Sequence, residues 1–448
     1  MEKKRYERPT LRKMNTGLMN KFGTKTENEP VTHIESVSVK GLLKEYGSPL
    51  FVISERQIRR NFQNASRIFK TRYPKVQFAW SYKTNYLDAV CQIFHQEGSW
   101  AEVVSGFEYN KALKNGVPGN KIIFNGPDKS DEQLVTAAKK NSLIHIDHYD
   151  ELYALIRLSE EHKLRPRVAI RINMDTGIYP KWDRFGFNFE NGQAWNALTR
   201  IINSPNLELV GLHCHIGTFM LSPAAYATAA RNLCELAWSV KERYGKILQY
   251  IDLGGGFPST NTLKGAYLPG TDTVPTLDQF ADAITDVILG YGFSQEELPL
   301  LILESGRALI DDAGYLLGTV LATKRLSDGR RATILDFGLN SLFTSLWYEH
   351  KVSPAQPMGQ QTEEMILYGP LCMNIDIVRE SIVMPLLEKG NQLVVHQVGA
   401  YNMTQWMQFI TLRPNVVLID TENNTHIIRK AETMEYIDSL ESVPNHLK

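Results

Sequence analysis

Short apolar runs rich in β-branched residues alternate with amphipathic segments from residue 76 to about residue 310. The runs have the length of strands, and the segments between them repeat apolar residues at helical spacing, as in 106–115, 131–141, 149–163 and 223–244. This alternation indicates a parallel α/β sheet. Eight runs predict a closed (β/α)₈ barrel rather than an open sheet: 77–83, 99–104, 121–124, 143–147, 167–173, 207–213, 250–253 and 299–304.

After about residue 311 the pattern changes to strand-like runs with little helix between them. This predicts a second, all-β domain of meander, Greek-key or sandwich type. A further run at 50–54 precedes the barrel, and we expect segment 31–54 to contribute to the β domain, leaving 55–310 for the barrel and 311–448 for the β domain. The six predicted strands are 315–323, 331–337, 364–368, 392–398, 416–420 and 426–430.

Composition narrows the class of protein. The 448 residues have a formal net charge of zero, which does not favour a nucleic-acid or anionic-membrane partner. Four cysteines are too few for a disulfide framework and suggest a reducing compartment. With no signal-peptide core and no apolar stretch long enough to span a bilayer, we expect a cytoplasmic protein. Residues 1–30 are polar and basic, and we expect a flexible tail, with a strap or docking arm as the alternative.

Lys83 ends the first predicted barrel strand. A lysine at the inner end of a buried strand is costly to desolvate unless it has a partner or a function. One such function is an amine of depressed pKa that condenses with an aldehyde. The alternative is a lysine whose ammonium simply reaches solvent from a strand end.

Other reactive residues also fall where barrel strands end, and in such barrels the active site forms at that face. Each could be structural alone, but together they predict one site: Glu102, Arg171, His213 to Thr218, Gly254 to Gly256, and Glu304 to Arg307.

These residue types suit an aldehyde cofactor with a phosphate tail. Consecutive glycines let backbone N–H groups approach a phosphate, although Gly254-Gly255-Gly256 alone could be a tight turn. A glutamate such as Glu304 suits a pyridine nitrogen, because it keeps the ring protonated and able to accept electrons. His215 could stack on the ring. A metal site at His213 and His215, which share one side of the strand, is disfavoured because no third ligand has recognisable spacing.

The chain resembles the alanine-racemase-like fold of pyridoxal-phosphate enzymes, in the branch of diaminopimelate and ornithine decarboxylases. The motifs that carry the resemblance occur in family order from residue 50 to about 410: Ser81-Tyr82-Lys83-Thr84-Asn85, Glu102-Val103-Val104-Ser105-Gly106, Gly211-Leu212-His213-Cys214-His215-Ile216-Gly217-Thr218, Asp252-Leu253-Gly254-Gly255-Gly256-Phe257, Glu304-Ser305-Gly306-Arg307, Gly369-Pro370-Leu371-Cys372 and Gly399-Ala400-Tyr401.

The resemblance implies a role for each matching residue. Lys83 would bind pyridoxal 5'-phosphate covalently, His215 would stack on its ring, and Glu304 would pair with its pyridine nitrogen. Cys372 would reach a neighbouring subunit's site and protonate the product carbon, which implies a homodimer with shared sites. Arg307 would also contact the substrate carboxylate. The phosphate would be surrounded by Gly254, Gly255, Gly256, Thr218, Arg307 and Tyr401.

Five positions depart from the family pattern. Thr218 and Ser305 are mild changes from serine and proline. Met373 stands where the family has an acidic residue that binds a distal amine, and Phe337 where ornithine decarboxylases have an aspartate. Thr344 stands near the arginine with which diaminopimelate decarboxylases bind a distal carboxylate. An unpaired substrate charge would cost several kcal/mol, so we expect altered specificity.

Two further positions bear on the substrate. Tyr348 matches the family, and Asp376 follows Cys372 at a spacing that resembles decarboxylases of natural-product pathways, some of which act on carrier-bound amino acids. We therefore predict an amino-acid decarboxylase whose substrate is an L- or D-amino acid, free or carrier-bound. An amino-acid racemase is the enzymatic alternative, and Glu304 argues against it. A catalytically silent binding protein is the non-enzymatic alternative.

Overall fold

The computed structural model describes residues 29–448 except residue 267. Almost all of the predicted basic tail, 1–30, therefore lies outside the described residues. The described chain begins with β1 (His33–Ile34), β2 (Val37–Ser38), α1 (Val39–Tyr46) and β3 (Leu50–Ser54). Ser38 caps the N-terminus of helix α1, because its hydroxyl accepts a hydrogen bond from the Gly41 amide.

Eight parallel strands then close into the predicted barrel. Strand β10 pairs with β11 on one side and with β8 on the other, and the second pairing closes the sheet so that no edge is left between these strands. A two-residue strand, β9, extends β8 at its end. The strands of this sheet are β4 (Val76–Ser81), β5 (Trp100–Val103), β6 (Ile122–Phe124), β7 (Leu143–Ile146), β8 (Arg167–Asn173), β9 (Phe187–Asn188), β10 (Glu208–Cys214), β11 (Tyr250–Asp252) and β12 (Leu300–Ser305).

Helices connect the barrel strands and cover their outer faces. Two of them begin with a reciprocal capping box, formed by Ser130 with Gln133 and by Thr276 with Gln279. The helices are α2 (Glu55–Lys70), α3 (Asp88–Gln96), α4 (Gly106–Lys114), α5 (Asp131–Lys139), α6 (Tyr149–His162), α7 (Gln193–Ile202), α8 (Pro223–Tyr244), α9 (Gly270–Thr273), α10 (Leu277–Gly290) and α11 (Arg307–Ile310). No helix of the described residues has the length and apolar character needed to cross a membrane.

A second, mostly β unit follows the barrel. Strand β13 pairs with β14, β18 and β3, and β3 also pairs with β19, so the segment before the barrel lies inside this later sheet. The sheet is mixed, because β14 and β16 run parallel while most neighbours are antiparallel. Its elements are β13 (Gly314–Arg325), β14 (Arg331–Leu335), β15 (Val352–Pro354), β16 (Thr362–Tyr368), β17 (Ile377–Pro385), β18 (Gln392–His396), β19 (Val416–Ile419), β20 (Thr425–Arg429) and α12 (Met434–Asp438).

Two of these strands have no counterpart in the sequence prediction. Strand β17 pairs on one side only, with β16, and its middle residues Glu380 and Ser381 are exposed. A charged, solvent-facing stretch is typical of an edge strand, and it hides the apolar alternation that marks other strands. Strand β15 has only three residues, which is too short for periodicity to reveal.

The barrel interior determines what lies at its two ends. One layer of inward side chains is apolar and includes Ala79, Ile123 and Val210. Further along β4 the inward positions become Ser81 and then Lys83, since alternate residues of a strand share a face. The strand itself ends at Ser81, and Lys83 lies in the 3₁₀ turn Tyr82–Thr84 that follows. The polar residues therefore collect at the carboxyl end of the barrel, above its packed core.

Candidate active site

A cavity of about 860 Å³ opens at the carboxyl ends of the barrel strands. This volume lies in the range of small-molecule sites. Ten of its lining residues were predicted from the sequence as site residues: Lys83, Glu102, Arg171, His213, His215, Thr218, Glu304, Arg307, Tyr348 and Tyr401. Residues from both the barrel and the β unit therefore share one cavity.

Lys83 and Glu102 form an ion pair in this cavity. The Lys83 Nζ atom lies 3.1 Å from Oε1 and 3.0 Å from Oε2 of Glu102, whose side chain is fully buried. The Ser81 hydroxyl donates to the same carboxylate. Burial lowers the pKa of Lys83, but the charges of Glu102 and Glu304 outweigh it and hold this pKa above its ordinary value. The expected depressed pKa is therefore wrong for the chain without a cofactor, because the sequence does not reveal that two carboxylates converge on this amine.

Asn125 links the two carboxylates of the site. Its Nδ2 donates to Oε1 of Glu102 at 3.0 Å and to Oε1 of Glu304 at 2.6 Å. Sequence reasoning missed this residue, although it directly follows the run 121–124. The rule that identified Glu102 and Glu304, a polar residue where a barrel strand ends, also finds Asn125.

His215 faces the cavity from the end of β10. Its Nδ1 accepts a hydrogen bond from the Gly255 amide at 3.0 Å, which leaves the proton on Nε2. Burial, followed by the nearby charges of Lys83 and Arg171, lowers the pKa of His215 well below its ordinary value. The imidazole is therefore neutral. The Trp182 ring lies beside it, with 5.7 Å between the ring centroids.

Gly254, Gly255 and Gly256 form a crowded turn between β11 and its neighbours. A Cβ on Gly255 would lie 2.3 Å from the Glu304 carbonyl oxygen, and one on Gly256 would lie 2.3 Å from that of Gly217. Gly254 and Gly256 also have φ values of 64° and 92°, which favour glycine. Only a chain without side chains can pass this close to the strands that present His215 and Glu304.

Arg307 is a buried cation with a free donor. Its Nη2 donates to Thr218 Oγ1 at 3.0 Å, while Nη1 is buried and has no hydrogen-bond partner among the described residues. The guanidinium lies 5.3 Å from the ring of Phe219 and 4.8 Å from that of Tyr401. An unpaired donor on a buried cation predicts an anionic ligand.

Two bulky residues near Arg307 have left-handed backbone conformations. Phe219 has φ 53° and Tyr401 has φ 63°. Such φ values are rare for aromatic residues, and strain of this kind persists where the surrounding structure imposes it, often at functional sites. The Tyr401 amide donates to the Thr84 carbonyl at 2.8 Å, which ties the β unit to the Lys83 turn.

His213 lies at the cavity wall beside Glu304 rather than in a pair with His215. Its Nε2 is 3.4 Å from Oε2 of Glu304, and its ring centroid lies 4.6 Å from that of His145. His145, His213 and Glu304 present ligand atoms within 4.8 Å of one another, so His213 has neighbours that sequence spacing did not reveal. The third group was missed because His145 comes from β7, far away in sequence. The Asn125 amide donates to Glu304, so a hydrogen bond within the chain already satisfies one oxygen of this carboxylate.

Comparisons with known proteins agree with this geometry. Residues 55–311 match the family model described as pyridoxal-dependent decarboxylase, pyridoxal binding domain. The chain is 30% identical to diaminopimelate decarboxylase of Methanocaldococcus jannaschii, over 91% of this chain and 94% of that protein. It is 28% identical to diaminopimelate decarboxylase of Bacillus subtilis, over 94% and 97%. This chain belongs to the pyridoxal-dependent decarboxylase family.

Solved structures of relatives share the whole fold. Diaminopimelate decarboxylase of M. jannaschii superimposes with a TM-score of 0.85 at 28% identity, covering 93% of this chain and 97% of that one. The same enzyme in co-complex with L-lysine also gives 0.85 at 28% identity, over 95% and 100%. The predicted family, the barrel with its β unit, and the assignment as a pyridoxal-phosphate-dependent carboxy-lyase are thereby confirmed.

The described residues fit pyridoxal phosphate. Lys83 provides an amine inside the cavity, Arg307 provides an unpaired donor for a phosphate, and Glu304 provides a buried carboxylate at the cavity wall. His215 is neutral and faces the same space, where its ring could stack on that of the cofactor.

The cavity of one chain does not include every predicted substrate residue. Cys372, Met373 and Asp376 are absent from its described lining. Cys372 is an exposed free thiol, whereas Asp376 is buried. The two oxygens of Asp376 accept hydrogen bonds from the amides of Leu339 and Leu371, at 2.7 and 2.8 Å. Asp376 therefore holds its own loop together, and the predicted contact with substrate has no support within this chain.

Thr344 and Phe337, two of the departures from the family pattern, are also turned away from the cavity. Thr344 Oγ1 lies 2.8 Å from Nε2 of His350 and 3.0 Å from Oδ1 of Asn402. Phe337 is buried in the hydrophobic core and packs closely on Gly318. Neither side chain can bind a substrate charge from this position.

Proposed function

We propose that this chain decarboxylates an amino acid at Cα, with Lys83 carrying the cofactor and with substrates other than those of its named relatives. The observation that supports it best is the cavity that Lys83 and Glu304 both face. Asn125 bridges Glu304 and Glu102, the carboxylate that pairs with Lys83. A bound pyridine ring would supply the electron sink that makes loss of CO₂ possible. The division into 31–54, 55–310 and 311–448 is part of the same proposal.

Each residue of the cavity would do one part of this chemistry. Glu304 would hold a proton at the pyridine nitrogen, and Asn125 would keep its carboxylate in place. His215 would cover one ring face and exclude water from it. Arg307 would bind the phosphate through Nη1 and could share a substrate carboxylate. Thr218, Tyr401 and the turn Gly254 to Gly256 would complete the phosphate site, and Arg171 and Glu102 would balance the charges around Lys83.

A homodimer with shared sites is part of the proposal. Three loops meet beside the cavity, since the Asn340 side chain donates to Thr411 at 2.6 Å and Leu339 binds Asp376. These loops expose large apolar residues, and a patch of this kind suggests a protein interface: Leu346, Ile375, Ile410 and Leu412. In such a dimer Cys372 of a second copy would return a proton to Cα through its thiol.

The altered specificity rests on charge. The named relatives act on diaminopimelate, and one is solved with L-lysine. Met373 and Thr344 offer no charge to either end of such a substrate, and Thr344 is bonded to His350 instead. A D-amino acid or a carrier-bound amino acid remains the alternative substrate. We also propose a cytoplasmic location, because the four cysteines are free and three of them are buried.

The direct test is release of CO₂ from a panel of free L- and D-amino acids by the holoenzyme, with D/L exchange followed in the same tubes. We expect CO₂ from at least one amino acid, and loss of that activity in Lys83→Ala. Exchange of D and L forms without CO₂ would instead establish a racemase. No reaction of either kind, with cofactor bound, would favour a silent binding protein.

The shared site has its own test. Lys83→Ala and Cys372→Ala subunits, each weakly active alone, should recover about a quarter of wild-type activity when mixed in equal amounts. About half of the dimers are then mixed, and each mixed dimer has one intact site and one site with both changes. Two Lys83→Ala preparations mixed together are the control. No recovery, although mixed dimers form, would contradict a contribution of Cys372 across the interface.

A further inference from the structure

We propose that the substrate is a neutral amino acid with a long apolar or aromatic side chain, bound against one wall of the cavity. This inference rests on the proposed decarboxylase function and names its substrate class. The distal wall, as we call it, consists of Phe219, Leu263, Leu346, Trp347 and Tyr348. The Arg307 guanidinium lies against this wall, 5.3 Å from the Phe219 ring, 6.0 Å from that of Trp347 and 5.4 Å from that of Tyr348.

The carboxylates of the cavity already have partners. Among the described lining residues these carboxylates are Glu102 and Glu304. Glu102 binds Lys83 and Asn125, and Glu304 binds Asn125 at 2.6 Å. A substrate ammonium at the distal wall would find both carboxylates already bound to other groups and would remain unpaired. Burying such a charge is strongly unfavourable.

The cations are also engaged. Arg171 lies 3.8 Å from Asp147 and stacks on Phe185, with 4.4 Å to the ring centroid. Lys264 reaches the cavity but lies 3.7 Å from Oε1 of Glu380. A distal substrate carboxylate would therefore have to compete with Glu380 for Lys264. Arg307 is the proposed phosphate ligand, so the bound cofactor would occupy its free donor.

The distal wall is held in shape by aromatic packing. The Phe219 and Tyr348 rings lie 5.5 Å apart, and those of Trp347 and Tyr348 lie 6.2 Å apart. Phe219 keeps its left-handed backbone at φ 53°, an unfavourable conformation for a bulky residue. A strained backbone that turns a large ring toward a cavity suggests that this ring has a function in the site.

The Cys372 loop of a second copy would add no charge to this wall. The loop that carries Cys372 reads Leu371-Cys372-Met373-Asn374-Ile375, without a charged side chain. The next residue, Asp376, has both oxygens bound to backbone amides of its own chain. Met373 would present a flexible apolar side chain, which suits contact with apolar substrates of different shapes.

Three amino acids of nearly equal length provide the test. Norleucine ends in a methyl group, lysine in an ammonium group and 2-aminoadipate in a carboxylate. Using the holoenzyme and both enantiomers, we expect kcat/KM for CO₂ release from norleucine to exceed that from lysine and 2-aminoadipate at least 100-fold. The enzyme should also release CO₂ from phenylalanine and methionine.

Two outcomes would overturn the inference in distinguishable ways. Equal or faster release from lysine or 2-aminoadipate would refute the apolar substrate class and leave the decarboxylase function standing. No CO₂ from any of these amino acids or from the wider panel would refute both.

Variants of Leu263 separate charge from shape. Leu263 is half-buried at the distal wall, so a polar side chain there need not unfold the chain. Leu263→Glu should lower the norleucine-to-lysine ratio of kcat/KM at least 10-fold, whereas Leu263→Gln should change it less than 3-fold. Leu289→Glu, on an exposed position of α10, is the control and should leave the ratio unchanged. An unchanged ratio in Leu263→Glu would contradict the assignment of the wall.

Discussion

Asn125 donates a hydrogen bond of 2.6 Å from its Nδ2 to Oε1 of Glu304. The same nitrogen binds Glu102, so one neutral amide holds two buried carboxylates at fixed positions. Carboxylates this close repel each other, and a shared donor offsets part of that repulsion. The relationship makes Asn125 a positioning residue for the two acids that surround the proposed cofactor ring.

Replacement of Asn125 by alanine should therefore lower activity more than it lowers stability. Loss of a charged hydrogen bond costs about 1–3 kcal/mol, which corresponds to a fall in kcat of about 5- to 150-fold. Cofactor affinity, measured by fluorescence titration, should fall in the same variant. Asn64→Ala, on the exposed face of α2, is the control. Wild-type kcat and cofactor affinity in Asn125→Ala would show that the bridge has no such role.

Glu304 supplies the second prediction, because its charge would keep the pyridine nitrogen protonated. Glu304→Gln preserves the size of the side chain but removes this charge, and kcat for CO₂ release should fall at least 100-fold, about 2.7 kcal/mol. Cofactor should still bind through Lys83. The measurement is initial-rate CO₂ release together with the absorbance spectrum of the bound cofactor. An active Glu304→Gln enzyme would remove Glu304 from the mechanism.

Some of this site could be predicted from the sequence, and the rest required the fold. The alternation of Ala79 and Ser81 determines which residues of β4 face the barrel interior, and the rule that polar residues at strand ends meet at one face made Lys83 and the strand-end acids predictable. Asn125 was accessible by the same rule. Phe219 and Trp347 were not, since they lie in loops without periodicity, and only their positions in space show that they face Arg307 and the cavity.

The departures from the family pattern illustrate the same limit. The sequence shows that Thr344 is uncharged, but not that its hydroxyl is bonded to His350. It also shows an aspartate four residues after Cys372, but not that Asp376 is consumed by backbone amides. Both facts depend on long-range contacts between loops, which no local pattern encodes.

The glycine turn gives a prediction that tests packing without backbone strain. Gly255 has a φ that other residues can adopt, so Gly255→Ala should destabilise the fold only because the new Cβ would lie 2.3 Å from the Glu304 carbonyl oxygen. We expect a loss of about 1–3 kcal/mol in the free energy of unfolding and weaker cofactor binding. Gly290→Ala, where nothing lies within 4 Å, should stay within about 1 kcal/mol of wild type. Denaturant titration and cofactor titration check both, and equal behaviour of the two variants would contradict the packing argument.

His350 should make stability depend on pH. Burial lowers the pKa of His350 to about 3, so the unfolded chain binds a proton between pH 6.5 and about 3 that the folded chain does not. Stability is therefore lost as pH falls through this window. His350→Gln should lose stability less steeply, by at most about 1.4 kcal/mol per pH unit, in denaturant titrations at fixed protein concentration. His446→Gln, in the exposed C-terminal segment, should keep the wild-type slope. An identical slope in His350→Gln would contradict a buried neutral imidazole.

The most direct test of the account is the site of covalent attachment. The holoenzyme would be reduced with borohydride, digested and mapped by mass spectrometry, with Lys129, a buried lysine paired with Glu151, as the internal control. We predict a pyridoxyl group on Lys83 and none on Lys129. A pyridoxyl group on another lysine, or none after reduction of cofactor-loaded protein, would contradict the assignment of Lys83 and with it the proposed site.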